Sequence, residues 1–222
     1  MERILLTGFE AFGTTPVNPA EQVARALDGE EIDGARVVSR IVPNSFFVCI
    51  DAVREAMAEI RPQAVVMLGE YGGRTMLTVE RLAQNLNDGA RYGLRDNAGR
   101  LVQDLATVPD GPVAYHATLP VRAMVAAMRR AGVPADISDV AGTFCCNHLM
   151  YGILHHVAAN RLPVRAGWIH LPHLPEVAAL DSHLGLPSMA ADTAAAGVRA
   201  GLAALRAHPT DSDEPIASRL QI

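Results

Sequence analysis

The sequence predicts an α/β fold, with a largely parallel β-sheet covered by helices on both faces. Short apolar runs rich in β-branched residues alternate along the chain with segments of helical periodicity, which is typical of βαβ units. Half of the 222 residues are hydrophobic, enough for one substantial core. No linker or internal repeat separates the segments, so we expect a single domain over residues 1–222.

The predicted elements follow from these patterns in chain order. Strands are expected where apolar runs are short, at 3–8, 36–42, 64–69, 136–139 and 164–171. Helices are expected at 19–28 (opened by Asn18-Pro19), from Asn44 or Ser45 to about 60, and at 120–131, 146–158 and 188–207. Residues 74–79 are ambiguous, 86–119 form a long polar excursion broken by Gly and Pro, and the tail after 208 is expected to fray.

Composition excludes several classes of partner. The net charge is -5 and the basic residues are scattered, which argues against a nucleic-acid-binding surface. No stretch approaches the roughly 18 apolar residues of a membrane span, and the first apolar run is too short for a secretory signal. Cys49, Cys145 and Cys146 are an odd set with two adjacent members, which does not indicate a disulfide framework. We therefore expect a cytoplasmic protein with reduced thiols.

The segment 141–148 (AGTFCCNH) places a cysteine at the start of a helix, after a glycine-containing turn. The partial positive charge and free N–H groups at a helix start favour a thiolate and can stabilise an oxyanion. This favours Cys146 or its neighbour Cys145 as a nucleophile. The alternative is that both are small buried core residues, the usual role of free cysteine.

A cysteine nucleophile needs a base, and histidine is the usual partner. His148 lies two residues after Cys146, so on a helix it points elsewhere. Five further histidines have no polar neighbours or lie in an irregular segment: His116, His155, His156, His183 and His208. His170 and His173 remain. His170 ends a predicted strand, as either a core histidine or a catalytic one.

An acid that orients the base would complete a triad, and Glu80 is a candidate. In the segment 78–85 (TVERLAQN), Thr78 or Val79 could precede a helical turn, which would make Glu80 an ordinary first-turn glutamate. From the residues alone, the prediction therefore stops at a Cys–His hydrolase of α/β class.

Taken together, four segments resemble the pyroglutamyl-peptidase I family, also called pyrrolidone-carboxylate peptidases. They are LLTGFEAFGTTPVNPA (5–20), LGEYGGRTMLTVERLAQNLND (68–88), AGTFCCNHLMYGIL (141–154) and GWIHLPHLPE (167–176). Their order and spacing also match, so the resemblance extends over nearly the whole chain.

The resemblance implies a three-layer α/β/α sandwich with a mixed, mainly parallel sheet, related in fold to phosphorylases and hydrolases. It implies a triad in which Cys146 is the nucleophile, His170 the base and Glu80 the orienting acid. The implied substrates are peptides with an N-terminal pyroglutamyl residue, cleaved through a thioester. Family members need no metal or organic cofactor and commonly form tetramers, so a homotetramer in the cytoplasm is expected.

The resemblance also indicates substrate-binding positions. Those expected to line or support the pocket are Phe9, Phe12, Asn18, Asn44, Glu70, Arg91, Phe144 and Cys145. Among them, Phe9, Phe12 and Phe144 would form apolar walls for the lactam ring, Asn18 would fix the first loop, and Arg91 would support the oxyanion.

Several positions depart from the family pattern. Glu70 stands where relatives usually carry Gln, and Asn44 where Thr is common. A carboxylate at 70 could accept from the lactam N–H but could not donate to its carbonyl, so weaker binding is expected. The segment 89–97 is longer than usual, which suggests a more mobile lid. The adjacent thiol of Cys145 suggests that activity requires a reductant.

Two other functions remain open at this stage. One is a related cysteine amidohydrolase acting on another small cyclic or acylated amide, favoured by Glu70 and the longer 89–97 loop. The other is a small-molecule binding protein that keeps the pocket without turnover. The fold also resembles that of nucleoside phosphorylases, but no glycine-rich phosphate motif is visible.

Overall fold

The computed structural model describes residues 1–218 and contains nine strands and six α-helices in that part of the chain. The strands are β1 (Glu2–Phe9), β2 (Glu31–Ile32), β3 (Ala35–Val42), β4 (Ala64–Glu70), β5 (Leu77–Glu80), β6 (Leu82–Gln84), β7 (Ala114–His116), β8 (Ala135–Ser138) and β9 (Arg165–Leu171). The helices are α1 (Pro19–Ala26), α2 (Val48–Ile60), α3 (Val121–Arg130), α4 (Cys145–Ala159), α5 (Pro175–Ala178) and α6 (Ala191–Ala207).

Seven strands form the central sheet, in the order β2-β3-β1-β4-β9-β5-β8. β3, β1, β4 and β9 run parallel to one another, while β5 is antiparallel to β9 and parallel to β8. β2 is antiparallel to β3, and β6 and β7 form a separate antiparallel pair. The predicted α/β class with a mixed, mainly parallel sheet is confirmed.

Alternation along the strands divides the core into two layers, since successive side chains of a strand point to opposite faces. In β4, Val66 and Leu68 pack with α1, α3 and α6 on one face, whereas Val65 and Met67 pack with α2 and α4 on the other. Helices thus cover both faces of the sheet, and the candidate nucleophile lies in the α2/α4 layer.

The α2/α4 face also receives the polar side chains of two central strands. In β9, Ile169 and Leu171 belong to the core on the α1/α3/α6 side, and Trp168 belongs to the opposite core. His170, two residues from Trp168, therefore faces α4. In β5, Leu77 and Val79 face α1/α3/α6, so Thr78 and Glu80 point to the same side as His170.

The alternative interpretation of Glu80 as a first-turn glutamate of a helix is wrong, because residues 77–80 form β5, inserted between β9 and β8. Thr78 pairs with His170, and Glu80 pairs with Trp168. The strand alternates apolar and polar residues over only four positions, too few to be distinguished from the start of a helix.

The expected cap of α2 is also wrong. α2 begins at Val48, after Phe47, which adopts a φ of 67°, and the described residues provide no side-chain cap. Asn44 and Ser45 lie in the bend before the helix. α1 begins as predicted, with the Asn18 side chain accepting from the Ala20 N–H. α6 begins at Ala191, three residues later than predicted.

The chain after residue 208 is not frayed over the part that the structure describes. Asp211 accepts hydrogen bonds from the N–H groups of Arg122 and Ala123 at the start of α3. Ile216 packs against the core, and Ser218 donates to Asp136. For residues 219–222 the prediction lies outside the described chain.

Candidate active site

The candidate nucleophile Cys146 occupies the second position of α4. Gly142 has a φ of 85°, a conformation favourable to glycine, and turns the chain into the helix. Asn147 fixes the helix start, since its Oδ1 accepts from the Gln84 N–H (2.8 Å) and its Nδ2 donates to the carbonyls of Gln84 (2.9 Å) and Leu86 (3.0 Å). The first N–H groups of α4 have no intrahelical acceptor, so this end of the helix can receive a developing negative charge.

Gly69 on β4 makes room for the sulfur. A Cβ at residue 69 would lie 2.9 Å from Cys146 Sγ and 2.5 Å from a ring carbon of Trp168. Gly69 is also the direct neighbour of His170 in the parallel β4–β9 pair. The sulfur thus lies over the strand beside His170, on the same face of the sheet.

His170 is held by Glu80 inside the protein. His170 Nδ1 donates to Glu80 Oε1 over 2.8 Å, and the two side chains are 1% and 0% exposed. The Nε2 atom of His170 has no hydrogen-bonding partner among residues 1–218. Because Nδ1 carries the proton given to Glu80, Nε2 is left with its lone pair free, as a base requires.

A cation also contacts Glu80. Arg74 Nη1 lies 2.6 Å from Glu80 Oε1 and also contacts Thr78 Oγ1, which itself donates to Glu80 over 3.1 Å. The Arg74 guanidinium lies 3.9 Å from the centroid of the Tyr71 ring, which packs against the His170 ring in a T-shaped arrangement.

Burial and charge set the protonation of these groups. Burial lowers the pKa of His170 and outweighs the opposing effect of Glu80, so the imidazole is neutral at neutral pH. Burial opposes ionisation of Glu80, but His170 and Arg74 together overcome it and lower the pKa of the carboxyl. For Cys146, burial and then the charge of Glu80 raise the pKa of the thiol. Desolvation thus opposes the favourable effect of the helix start on the thiolate, so a base is needed to take the proton from the thiol.

One cavity of about 290 Å³ joins the candidate groups, a volume suited to a small ligand. Its described lining residues are Phe12, Glu70, Tyr71, Gly72, Tyr92, Leu94, Ala141, Gly142, Thr143, Phe144, Cys146 and His170. The Phe12 and Phe144 ring centroids are 6.1 Å apart. A larger groove of about 860 Å³ lies at the end of α2, but its described lining residues include neither a cysteine nor a serine.

Glu70 ends β4 at the cavity and pairs with a second histidine. Glu70 Oε1 lies 2.7 Å from His173 Nδ1, and both side chains are nearly inaccessible. Burial raises the pKa of Glu70, while His173 partly opposes this shift. Gly72 leaves space for the His173 ring, because a Cβ there would lie 2.3 Å from His173 Nε2.

Five predicted pocket residues, Arg91 among them, do not line the cavity. Phe9 is buried against Trp168, with ring centroids 5.6 Å apart, and Cys145 is buried in the α2/α4 core. Asn18 fixes the first loop as expected, since its Nδ2 donates to the Glu10 carbonyl over 3.0 Å. Asn44 is buried, and its carbonyl accepts from the Asn97 N–H.

Arg91 also lies outside the cavity lining. Its exposed side chain hydrogen-bonds to the Tyr92 hydroxyl, and its guanidinium lies 4.5 Å from the centroid of the Tyr92 ring. The 89–97 loop instead contributes Tyr92 and Leu94 to the cavity. Asn97 ties the end of this loop to the first loop, because its Nδ2 donates to Glu10 Oε1 (2.7 Å) and to the Ala11 carbonyl (2.9 Å).

The sequence interpretation missed Arg74 and the cavity residues Tyr71, Tyr92 and Leu94. Of the two glycines before Arg74, Gly72 leaves space for the His173 ring and Gly73 adopts a φ of 84°, so neither indicates that Arg74 belongs to the site. The prediction that the excluded histidines lack polar neighbours is wrong for His155, whose Nδ1 lies 3.0 Å from the Tyr115 hydroxyl, and for His156, whose Nδ1 lies 3.1 Å from Asn160 Nδ2. His148 is unsuited as a base, since its Nε2 accepts from the Phe47 N–H and burial lowers its pKa to about 4.

Within residues 1–218, no group of three or more His, Cys, Asp or Glu side chains is arranged to hold a metal ion. In the same part of the chain, no helix has both the length and the apolar character needed to cross a bilayer.

Comparisons with known proteins identify the family of the chain. The family model described as pyroglutamyl peptidase matches residues 2–208. A pyrrolidone-carboxylate peptidase of Mycobacterium tuberculosis is 65% identical over 222 residues, covering 100% of both chains. Pyroglutamyl peptidase I from Bacillus amyloliquefaciens has a TM-score of 0.91 and 33% identity, covering 97% of this chain and 100% of its own. Pyrrolidone carboxyl peptidase from Thermococcus litoralis has a TM-score of 0.90 and 34% identity, with the same coverage of both chains. The chain therefore belongs to the pyroglutamyl peptidase family.

Proposed function

We propose that this chain is a cysteine omega peptidase that hydrolyses the bond after an N-terminal pyroglutamyl residue, with Cys146 as nucleophile, His170 as base and Glu80 as orienting acid. One observation carries the assignment of roles. Cys146 and His170 line the same cavity, and the His170 ring is fixed by Glu80 with Nε2 left without a partner among the described residues. Family membership supports the substrate.

In the first half of the reaction, the Cys146 thiol gives its proton to His170 Nε2 as the sulfur attacks the pyroglutamyl carbonyl carbon. Because burial raises the pKa of the thiol, this transfer accompanies the attack. Glu80 stabilises the imidazolium that forms. The tetrahedral oxyanion is stabilised by free N–H groups at the start of α4. The C–N bond then breaks, and the leaving amine takes the proton from His170.

The second half reverses these roles. The products so far are the free peptide amine and a thioester between Cys146 and the pyroglutamyl group. His170 removes a proton from water, whose oxygen attacks the thioester carbonyl. The C–S bond breaks, pyroglutamate leaves, and the proton on His170 returns to the sulfur. The cycle regenerates the thiol and needs no redox partner or cofactor.

The cavity suits a flat, neutral lactam. The Phe12 and Phe144 rings provide apolar surface, and Tyr71 lines the cavity next to His170. Glu70 supplies an acceptor for the lactam N–H, while its Oε1 is already engaged by His173. A pyroglutamyl group has no free α-amine, so binding needs no additional anion.

A kinetic comparison of two adjacent cysteines tests the proposal. Cys146→Ala should abolish hydrolysis of a pyroglutamyl-arylamide without loss of helical signal in circular dichroism. Cys145→Ala is the matched control, because Cys145 is buried outside the cavity, and it should keep most of the activity. Near-normal turnover by the Cys146→Ala protein would refute the assignment.

A related cysteine amidohydrolase is the second candidate, favoured by the carboxylate of Glu70 in the cavity. A substrate panel separates the two, since an amidohydrolase of different specificity would prefer an arylamide other than the pyroglutamyl one. A non-catalytic binding protein would bind pyroglutamate, as measured by calorimetry, but would release no arylamine from a pyroglutamyl-arylamide.

We also propose a homotetramer in the cytoplasm, without bound nucleic acid or membrane and without a metal or organic cofactor. The tetramer, the location and the lack of cofactors rest on the family resemblance, and the scattered basic residues support the absence of nucleic acid. Light scattering after size-exclusion chromatography measures the assembly, and a monomeric mass at micromolar concentration would contradict the tetramer.

A further inference from the structure

We propose that Arg74 is a positioning residue that fixes Glu80 and keeps the Glu80–His170 pair from taking up a proton at neutral pH. The inference rests on the proposed function, and it adds a fourth group to the arrangement of Cys146, His170 and Glu80. Arg74 does not line the cavity among the described residues, so it acts through Glu80.

The geometry places Arg74 and His170 on the same oxygen. Glu80 Oε1 accepts from His170 Nδ1 at 2.8 Å and from Arg74 Nη1 at 2.6 Å, while Thr78 donates to it at 3.1 Å. Arg74 Nη2 lies 3.4 Å from Ser138 Oγ on β8. Three donors from β5, β9 and the preceding loop thus fix one carboxylate oxygen, which fixes the direction of the His170 ring.

This contact differs from an ordinary surface ion pair. The Arg74 side chain is 12% exposed and that of Glu80 is 0% exposed. The guanidinium also lies over the Tyr71 ring, which packs against the His170 ring in a T-shaped arrangement. Because both ions are withdrawn from water, removing either one leaves an uncompensated charge on the other.

The charges around the pair determine the direction of the effect. Cys146 of α4, Glu70 at the end of β4, Tyr71 and Ser138 are the other titratable or polar groups near it. Arg74 carries a positive charge next to this pair. That charge opposes the addition of a proton to His170 and favours the ionised form of Glu80. Without that charge, the pair takes up a proton at a higher pH, and protonated His170 cannot act as the base.

The pH dependence of kcat/KM tests this directly. In Arg74→Gln, the acidic limb of the profile should move to higher pH by about one to three units, and kcat should fall about tenfold or more, with KM little changed. Arg74→Lys keeps the positive charge but loses the two-pronged hydrogen-bonding geometry of the guanidinium. The acidic limb of its pH profile should therefore stay near the wild-type position, while kcat falls. The matched control is Arg81→Gln, which removes an exposed ion pair with Asp139 and should leave the profile unchanged. An unmoved limb in Arg74→Gln would overturn the inference.

A titration of His170 by NMR keeps the test independent of turnover. With the resonances assigned through a His170→Asn protein, the wild-type imidazole should titrate below the ordinary value of about 6.5, and Arg74→Gln should raise its midpoint. If the Gln protein does not fold, Arg74→Lys takes its place: it keeps the charge, so its midpoint should stay at the wild-type value, and a midpoint raised by about one unit or more would overturn the inference. A wild-type protein that cleaves no pyroglutamyl substrate would refute the proposed function, while this titration would still judge Arg74.

Discussion

Replacing Glu80 by Gln removes the negative charge beside His170 with the smallest change of shape. An amide oxygen can still accept from His170 Nδ1, Arg74 and Thr78, the three donors that meet at Glu80 Oε1. The imidazole tautomer can therefore be kept, and the expected loss comes from the imidazolium that forms when Cys146 attacks. Glu80→Gln thus separates the charge of the acid from its orienting role.

The magnitude follows from the distance and the burial. At an effective dielectric constant of about 20, an opposite charge 2.8 Å from His170 is worth about 6 kcal/mol, an upper value for this contact. Hydrogen bonds to charged groups measured by mutation are worth about 1.5–3 kcal/mol, which sets the lower value. With about 1.4 kcal/mol for each factor of ten, kcat should fall by about 10- to 10⁴-fold.

The pH profile gives this prediction a second readout. Loss of the Glu80 charge leaves burial and Arg74 to act on His170, so the pKa of the imidazole falls further and the acidic limb moves to lower pH. The shift is opposite in sign to that expected for Arg74→Gln.

The assay is steady-state hydrolysis of a pyroglutamyl-arylamide across pH, with circular dichroism to confirm folding. Glu59→Gln is a suitable control, since it removes an exposed ion pair with Arg40 and should leave kcat unchanged. A loss of kcat below about threefold in Glu80→Gln would remove Glu80 from the proposed triad.

Two further predictions concern the cavity and its floor. Glu70→Gln provides an N–H donor for the lactam carbonyl, so KM for a pyroglutamyl-arylamide should fall by about two- to tenfold with kcat little changed, and a rise in KM would contradict this view of the pocket. Gly69→Ala places a Cβ 2.5 Å from Trp168 and 2.9 Å from Cys146 Sγ, so the free energy of unfolding should fall by about 1–3 kcal/mol and kcat by at least about tenfold. If denaturant titration and steady-state kinetics of the Gly69→Ala protein gave wild-type values, the sulfur would not lie over this glycine.

The sequence predicted most of the sheet because its strands are buried on both faces and contain continuous apolar runs. β1, β4 and β9 lie where such runs occur. β5 was not predicted, because its four residues are too few to establish a period and its place between β9 and β8 depends on distant parts of the chain. The same limit applies to β6 and β7, which pair across about thirty residues of irregular chain.

The candidate site was predicted in its main groups but not in its details. Cys146 could be found from a cysteine at a helix start, and His170 from a titratable residue at a strand end, although the resemblance was needed to choose among alternatives. Arg74 could not be found, because nothing local shows that a loop arginine will reach Glu80 beneath Tyr71. The raised pKa of Cys146 also depends on packing, since burial counteracts the helix start only once the core has formed.

The side-chain packing also explains why Phe9 and Phe12 differ. Phe9 is the last residue of β1 and points into the α2/α4 core against Trp168, whereas Phe12 lies beyond the strand and reaches the cavity. The two were equivalent in the sequence as aromatic residues near Gly8. Only the direction of the strand end distinguishes a core side chain from a cavity wall.

The central claim is that the sulfur of Cys146 carries the pyroglutamyl group during turnover. Mass spectrometry of protein quenched in acid during hydrolysis of a pyroglutamyl ester, followed by peptide mapping, measures this directly. We expect a mass increase equal to one pyroglutamyl acyl group on the peptide that contains Cys146, lost again when the substrate is exhausted. An acyl group found on another residue, or turnover that continues after Cys146 is irreversibly alkylated, would contradict the mechanism.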